Sequence, residues 1–136
     1  MKVVDASVVC DFLLGRAAAV EALAATPDEE HQPLHCPELV EPETLSALRR
    51  LVRGGHLDRR RADEAVADLA DVRLVRHSHA ALRPRVWELR DNLTAYDATY
   101  LALAEAIDGS TLLTGDAGLA QHARQTLGPD RVRLVA

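Results

Sequence analysis

Short apolar runs rich in β-branched residues alternate with longer segments in which apolar residues recur at helical spacing. Short apolar runs are typical of strands, whereas spacings of three and four residues are typical of helices. The pattern predicts strands at 2–5, 34–36 (closed by Pro37), 72–76, 110–113 and 131–135. It predicts helices at 7–25 (interrupted near Gly15), 39–54, 58–70, 79–91, 95–107 and 116–126, and a polar loop at 26–33.

This alternation predicts an α/β fold with a mostly parallel sheet of about five strands, covered by helices on both faces. We find no internal repeat and no linker, so we expect a single domain over residues 1–136. Pro42 is expected in the first turn of its helix, where a missing N–H is tolerated. Gly54 and Gly55 are expected to end that helix.

Four acidic residues follow strand ends or begin helices in this scheme. Asp5 ends the first strand, and Asp116 lies just past the strand at 110–113. Asp97 and Glu43 fall in the first turns of their helices. Because returning helices begin at the edge where parallel strands end, all four acids are expected at one edge of the sheet.

Each acid also has a purely structural interpretation. Asp116 and Asp5 are suitable helix N-caps, and Thr94 with Asp97 resembles a capping box. Glu43 is a residue type common on exposed helix faces. A shared site is a stronger interpretation than four separate structural roles, because four residues that only cap helices need not lie at the same edge of the sheet.

Clustered carboxylates repel each other by on the order of 4 kcal/mol at a separation of about 4 Å. Either some of them stay protonated or a divalent cation is bound. Oxygen ligands favour Mg²⁺ or Mn²⁺ over zinc, and such a cage can bind a phosphodiester and activate water. Ser7 and Thr114 would then orient ligands or water, or else serve only as helix-start and strand-end hydroxyls.

Composition narrows the setting of this chemistry. The net charge of -5 argues against a protein that coats nucleic acid, and the aromatic content of 3% argues against base stacking on aromatic platforms. Two cysteines without a CxxC pair indicate free thiols in a reducing cytoplasm. No apolar run is long enough for a membrane helix, so no membrane association is expected.

The segments around the four acids resemble the PIN-domain family, and most closely the VapC-type toxins of bacterial toxin–antitoxin pairs. The resemblance spans nearly the whole chain and is most specific around Asp97. The matching segments are VVDASVVCDFLLG, ETLSALRRL, LTAYDATYLALAEA and LLTGDAGLA, in the family's order.

The resemblance implies a three-layer α/β/α sandwich and a Mg²⁺- or Mn²⁺-dependent endoribonuclease, which forms a homodimer and is neutralised by a small antitoxin. It assigns catalysis and metal binding to Asp5, Glu43, Asp97 and Asp116, and the family's hydroxyls to Ser7 and Thr114. Two departures stand out. Pro42 directly precedes Glu43, and Ala117-Gly118 follows Asp116 where relatives often have a charged residue.

Two further features have open interpretations. Arginines surround the Gly54-Gly55 turn and form either an RNA-contacting rim or a solvated helix pair: Arg49, Arg50, Arg53, Arg59, Arg60 and Arg61. An apolar stripe on the helix at 95–107 forms either core or a dimer interface: Leu93, Tyr96, Tyr100, Leu103 and Ile107.

Rival functions leave different signatures. A phospho-receiver domain needs a lysine near its last strands, and none follows Lys2. A dinucleotide-binding domain needs a G-x-G-x-x-G after the first strand, which is absent. A non-catalytic module that binds a metal or partner, and a nuclease acting on precursor rRNA or structured DNA, remain as alternatives.

Overall fold

The computed structural model describes residues 1–24 and 32–136. Five strands are present in this part of the chain: β1 (Lys2–Val4), β2 (Leu34–Pro37), β3 (Leu74–His77), β4 (Thr111–Thr114) and β5 (Val132–Leu134). The α-helices are α1 (Ala6–Leu13), α2 (Ala17–Leu23), α3 (Val40–Arg53), α4 (Arg59–Leu69), α5 (Arg83–Glu88), α6 (Ala95–Ala106) and α7 (Ala117–Leu127). Short 3₁₀ helices at Ala80–Leu82 and Pro129–Arg131 precede α5 and β5.

The five strands form one sheet in the order β3-β2-β1-β4-β5, and every pair is parallel. The chain builds outward from β1 to β3 on one side and then continues with β4 and β5 on the other. The point where the direction changes lies between β1 and β4, which is where open α/β sheets bind ligands. The predicted five-stranded parallel sheet is confirmed.

Successive residues of β1 face opposite layers of the molecule. Val4 belongs to a core shared with α1, α2, α3 and α4, whereas Val3 belongs to a second core shared with α6 and α7. Both valines are fully buried. A sheet with a helical layer on each face is the expected α/β/α sandwich.

Several element boundaries differ from the predicted ones. β2 continues through Pro37 instead of stopping before it, and β3 begins at Leu74 rather than at residue 72. The helix predicted at 79–91 is a 3₁₀ turn followed by the shorter α5, with Pro84 in its first turn. The predicted break near Gly15 is present, and Gly15 adopts a positive φ of 71°. Residues 25–31, which hold most of the predicted loop, lie outside the described residues.

The two cysteines match the prediction of free thiols. Cys10 and Cys36 are both buried and form no disulfide. In the described part of the chain no helix is long and apolar enough to cross a membrane.

Candidate active site

Asp5 is the most firmly held of the four acids. It follows β1 directly, caps α1 by accepting a hydrogen bond from the Val8 amide at 3.0 Å, and is only 6% exposed. The hydroxyls of Ser7 and Thr114 donate to its two carboxylate oxygens, Ser7 at 2.6 Å. Burial raises the pKa of Asp5, while these hydrogen bonds lower it. The predicted capping role is present and engages Oδ1, while the Thr114 hydroxyl holds Oδ2, so both oxygens of the carboxylate are fixed.

Ser7 and Thr114 link the ends of β1 and β4. The Ser7 hydroxyl accepts a hydrogen bond from the Gly115 amide at 2.9 Å, and the Thr114 hydroxyl accepts one from the Asp116 amide at 3.0 Å. Each hydroxyl therefore joins Asp5 to the segment that carries Asp116. These hydrogen bonds hold the Asp5 carboxylate; the role of the two hydroxyls in orienting metal ligands or water stays a prediction.

Asp116 and Asp97 lie at the first turns of α7 and α6. Asp116 caps α7 by accepting a hydrogen bond from the Leu119 amide at 2.8 Å, and it remains exposed. The Thr94 hydroxyl caps α6 by accepting from the Asp97 amide at 3.2 Å, which leaves the Asp97 carboxylate uncommitted to the cap. The predicted helix cap at Asp116 is confirmed. Of the predicted capping box only the Thr94 cap is present, since no hydrogen bond joins the Asp97 carboxylate to the Thr94 amide.

Glu43 reaches the same region from α3 in spite of Pro42. Pro42 is the third residue of α3, so its missing N–H falls in the first turn as predicted. The Glu43 Oε1 atom is buried and has no hydrogen-bond partner among the described residues. Burial, the principal cause, raises the pKa of Glu43, and the Asp5 charge adds to this; the nearby Tyr100 hydroxyl and the Arg50 charge lower it. A buried carboxylate oxygen without a partner is costly unless a ligand completes it.

The four acids act on one another electrostatically. Burial raises the pKa of Asp97 to about 6, and the charges of Asp116, Asp5 and Glu43 add to that shift. Asp97 lies on α6, while the other three carboxylates come from the start of α7, the end of β1 and from α3. Since their charges shift the pKa of Asp97, these elements meet close to it. The structure therefore brings all four predicted acids to one edge of the sheet.

Tyr100 is a neighbour of Glu43 that the sequence pattern assigned only to core or interface. Its side chain is 2% exposed, and its hydroxyl also lacks a hydrogen-bond partner in the described chain. Burial and then the Glu43 charge raise the pKa of Tyr100, which keeps the phenol protonated. Its position on α6, one turn after Asp97, is the only sequence signal that could have placed it here.

The acids do not form a ready-made metal cage. In the parts of the chain that the structure describes, no three His, Cys, Asp or Glu side chains are grouped closely enough to hold a metal ion as they stand. Metal binding would therefore need side-chain movement. The donors that would move are carboxylates, the oxygen ligands that Mg²⁺ and Mn²⁺ prefer.

The predicted arginine cluster is divided between different grooves. Arg50 lines a cleft of about 520 Å³ together with Glu43 and Tyr96, and a second cleft of about 340 Å³ together with Ser7 and Gly115. Arg49, Arg53 and Arg59 instead line a groove between α3 and α4 that contains none of the four acids. Only Arg50 of these four adjoins the candidate site.

The apolar stripe of α6 is also divided. Tyr100 and Leu103 are buried, and Leu93 and Ile107 pack against the same core. Tyr96 is 60% exposed, so the core interpretation is wrong for this residue. Its ring lies in the cleft beside Glu43 because it directly precedes Asp97 at the start of α6.

Comparison with known proteins identifies the family of this chain. A family model described as PIN domain matches residues 2–125, a range that contains all four acids. VapC ribonuclease Mb0985 of Mycobacterium bovis is 43% identical over 119 residues, covering 85% of this chain and 86% of that protein. Ribonuclease VapC3 of Mycobacterium tuberculosis is 38% identical over 122 residues, 88% of this chain and 85% of its own. Ribonuclease VapC1 of the same species is 39% identical over 119 residues, 87% of each chain. The chain thus belongs to the PIN-domain family, in its group of VapC ribonucleases.

Proposed function

We propose that this protein is a metal-dependent endoribonuclease, the toxin of a VapBC-type toxin–antitoxin system, with residues 1–136 forming one nuclease domain. The observation that carries the proposal is the convergence of Asp5, Glu43, Asp97 and Asp116, expressed in the raised pKa of Asp97. The VapC ribonucleases among its relatives support the choice of RNA as substrate.

The chemistry of the site suits Mg²⁺ or Mn²⁺. The donors are all carboxylates, three of them have raised pKa values, and Glu43 has a buried oxygen without a hydrogen-bond partner among the described residues. A divalent cation relieves this repulsion and satisfies that oxygen. When bound, it supplies an activated water and charge neutralisation for the phosphodiester.

The residues of the proposed active site have different roles. Asp5, Glu43, Asp97 and Asp116 are the proposed metal-binding and catalytic acids. Ser7 and Thr114 hold both oxygens of Asp5 in fixed directions, which limits the reorganisation needed during the reaction. Arg50 is the arginine that we place against RNA, because Arg49 and Arg53 line a groove without the acids.

The partners follow from the same family membership. We propose that the protein is a homodimer, that a small cognate antitoxin neutralises it, and that it acts in the cytoplasm. The buried free thiols of Cys10 and Cys36 suit that reducing compartment. Copurification of a small protein that blocks the cleavage activity would test the antitoxin assignment directly.

The central test is RNA cleavage by purified protein with Mg²⁺ or Mn²⁺. We expect Asp5→Asn and Asp97→Asn to lower the cleavage rate by on the order of 100-fold while the protein stays folded by circular dichroism. Asp108→Asn is the matched control, since Asp108 is exposed and precedes β4 at the opposite edge of the sheet. Undiminished cleavage by Asp5→Asn would contradict the assignment. Parallel reactions on structured DNA and precursor rRNA would show which nucleic acid is the substrate.

A further inference from the structure

A cleft beside the four acids combines a cation, an aromatic ring and a carboxylate. It is lined by Leu39, Pro42, Glu43, Ser46, Arg50 and Tyr96, and its volume of about 520 Å³ lies within the range of small-molecule sites. Glu43 connects this cleft to the proposed catalytic acids. A chain of nucleotides held at those acids would therefore place a neighbouring nucleotide here.

The Arg50 side chain is exposed, and among the described residues its guanidinium forms no hydrogen bond or ion pair, whereas the side chains of Arg16, Arg76 and Arg85 each pair with a carboxylate. Its charge nevertheless acts on the Glu43 carboxyl, so it lies at the margin of the acidic site. A free guanidinium fork is well suited to a phosphate group.

Tyr96 presents an aromatic surface to the same cleft. It is 60% exposed although it directly precedes Asp97, and its ring is not covered by the core that buries Tyr100. Trp87 is also exposed, at 67%, but the Arg90 guanidinium lies 4.6 Å from its ring centre. An uncovered ring in a cleft that also contains a cation is suited to the stacking of an unpaired base.

We propose that Tyr96 and Arg50 form a binding subsite for one nucleotide of single-stranded RNA, next to the phosphodiester held at the four acids. Tyr96 stacks on the base, which departs from the expectation that the aromatic content of 3% set against such stacking, and Arg50 binds the phosphate. The subsite requires an unpaired base, because a base within a duplex has both faces covered by its neighbours. This inference rests on the proposed ribonuclease function and specifies the form of its substrate.

The test is binding, measured with Ca²⁺ in place of Mg²⁺ or Mn²⁺ so that the acids can still hold a cation, with the integrity of the RNA checked by gel electrophoresis. Fluorescence anisotropy would compare a labelled pool of random single-stranded 20-nucleotide RNA with an abasic backbone of equal length. Tyr96→Ala is expected to raise the Kd for the pool about tenfold and to leave the Kd for the abasic backbone unchanged. Tyr96→Phe keeps the ring, so its Kd should stay within about twofold of the wild type.

Arg50→Gln should weaken binding of both ligands, because the phosphate is present in both. The slope of log Kd against log salt concentration should become shallower by about 0.7. Trp87→Ala and Arg124→Gln are the controls; Arg124 lies near the far end of α7 from Asp116, and both variants should bind as the wild type does.

Three results would overturn the subsite. They are no binding of the RNA pool by wild-type protein, an equal loss with both ligands in Tyr96→Ala, and an unchanged salt slope in Arg50→Gln. The proposed function fails separately. If wild-type protein shows this binding pattern but never cleaves RNA with Mg²⁺ or Mn²⁺, the subsite proposal stands and the nuclease proposal is wrong.

Discussion

Gly115 lies between Thr114 and Asp116, and its backbone packs directly against Ser7. A Cβ atom at this position would lie 2.8 Å from the Ser7 Oγ atom and 3.3 Å from the Val135 carbonyl oxygen. That hydroxyl already accepts from the Gly115 amide and donates to Asp5. A glycine is therefore required here by the close approach of two chain segments.

Gly115→Ala should displace the Ser7 hydroxyl and destabilise the protein by about 1–3 kcal/mol. Ser7→Ala removes the obstructing atom, so the two changes are coupled. The double variant should be more stable than the sum of the single effects by about 1 kcal/mol, as measured by urea denaturation. Strict additivity would show that the hydroxyl does not clash with the new methyl group.

The sequence predicted the residues of the site better than their surroundings. Asp5 and Asp116 could be placed because strand ends fix them, and α/β topology brings strand ends together. Tyr96 and Tyr100 lie one helical turn apart and share the same apolar stripe, yet one is exposed and the other buried. Periodicity identifies a face of a helix, but it does not show where the neighbouring element stops covering that face.

Arg131, at the end of the 3₁₀ helix before β5, ties that segment to the C-terminal end of α6. Its guanidinium donates to the carbonyl oxygens of Ser110 at 2.8 Å, Ala104 at 2.9 Å and Ile107 at 3.2 Å. Carbonyls at a helix C-terminus lack helical partners and carry partial negative charge, so a cation is favourable there. The contact holds an edge strand of the sheet against the helix that carries Asp97.

Arg131→Ala should lower the free energy of unfolding by about 2 kcal/mol, because it leaves these carbonyls without their charged donor. Arg133→Ala is the matched control on the adjacent strand. The Arg133 side chain is exposed and makes no hydrogen bond or ion pair among the described residues, so its removal should cost less than about 0.5 kcal/mol. Equal thermal stability of the two variants would contradict the role of Arg131.

Element types were predictable over most of the chain, whereas element ends were less so. The alternation of short strands and longer helices indicated the parallel sheet, and its two layers of helices followed. The helix predicted at 79–91 is divided into a 3₁₀ turn and α5, which begins at Arg83 with Pro84 in its first turn. Hydrophobic periodicity does not distinguish a short 3₁₀ turn from an α-helix. Such differences depend on local capping and packing rather than on hydrophobic pattern.

At the scale of the whole molecule, four chain segments that are distant in sequence deliver carboxylates to one edge of the sheet. The free energy released by packing both cores offsets the repulsion among them. The metal-free protein therefore carries a stability cost at its proposed active site. That cost depends on pH, because protonation of a carboxylate removes it.

Asp97 determines the sign of this dependence. Its pKa is about 6 in the folded protein, against 3.8 for an unperturbed aspartate. The folded state therefore binds the proton more tightly, so this contribution to stability is largest at low pH, falls as pH rises from about 4 to about 6, and stays lower above that range. His35 acts in the opposite direction, because burial lowers its pKa and favours its neutral form. A comparison between variants that share His35 separates the two effects.

Asp97→Asn should therefore stabilise the metal-free protein at pH 8, where the wild type bears the whole of this cost, and have little effect near pH 3, where the aspartate is largely protonated in both the folded and the unfolded protein. Because Asp97 is only half-buried, we expect a gain of about 1 kcal/mol, or about 4 °C in Tm. Differential scanning calorimetry in EDTA at the two pH values would measure it.

Added Mg²⁺ or Mn²⁺ should produce the complementary result at pH 8. It should raise the Tm of the wild type beyond an ionic-strength-matched NaCl control. It should raise that of Asp97→Asn by less, because the stabilisation by a ligand that binds only the folded state grows with the logarithm of its affinity. A wild type that is as stable without metal at pH 8 as Asp97→Asn would show that the four carboxylates do not repel one another, and it would remove the electrostatic argument for a metal at this site.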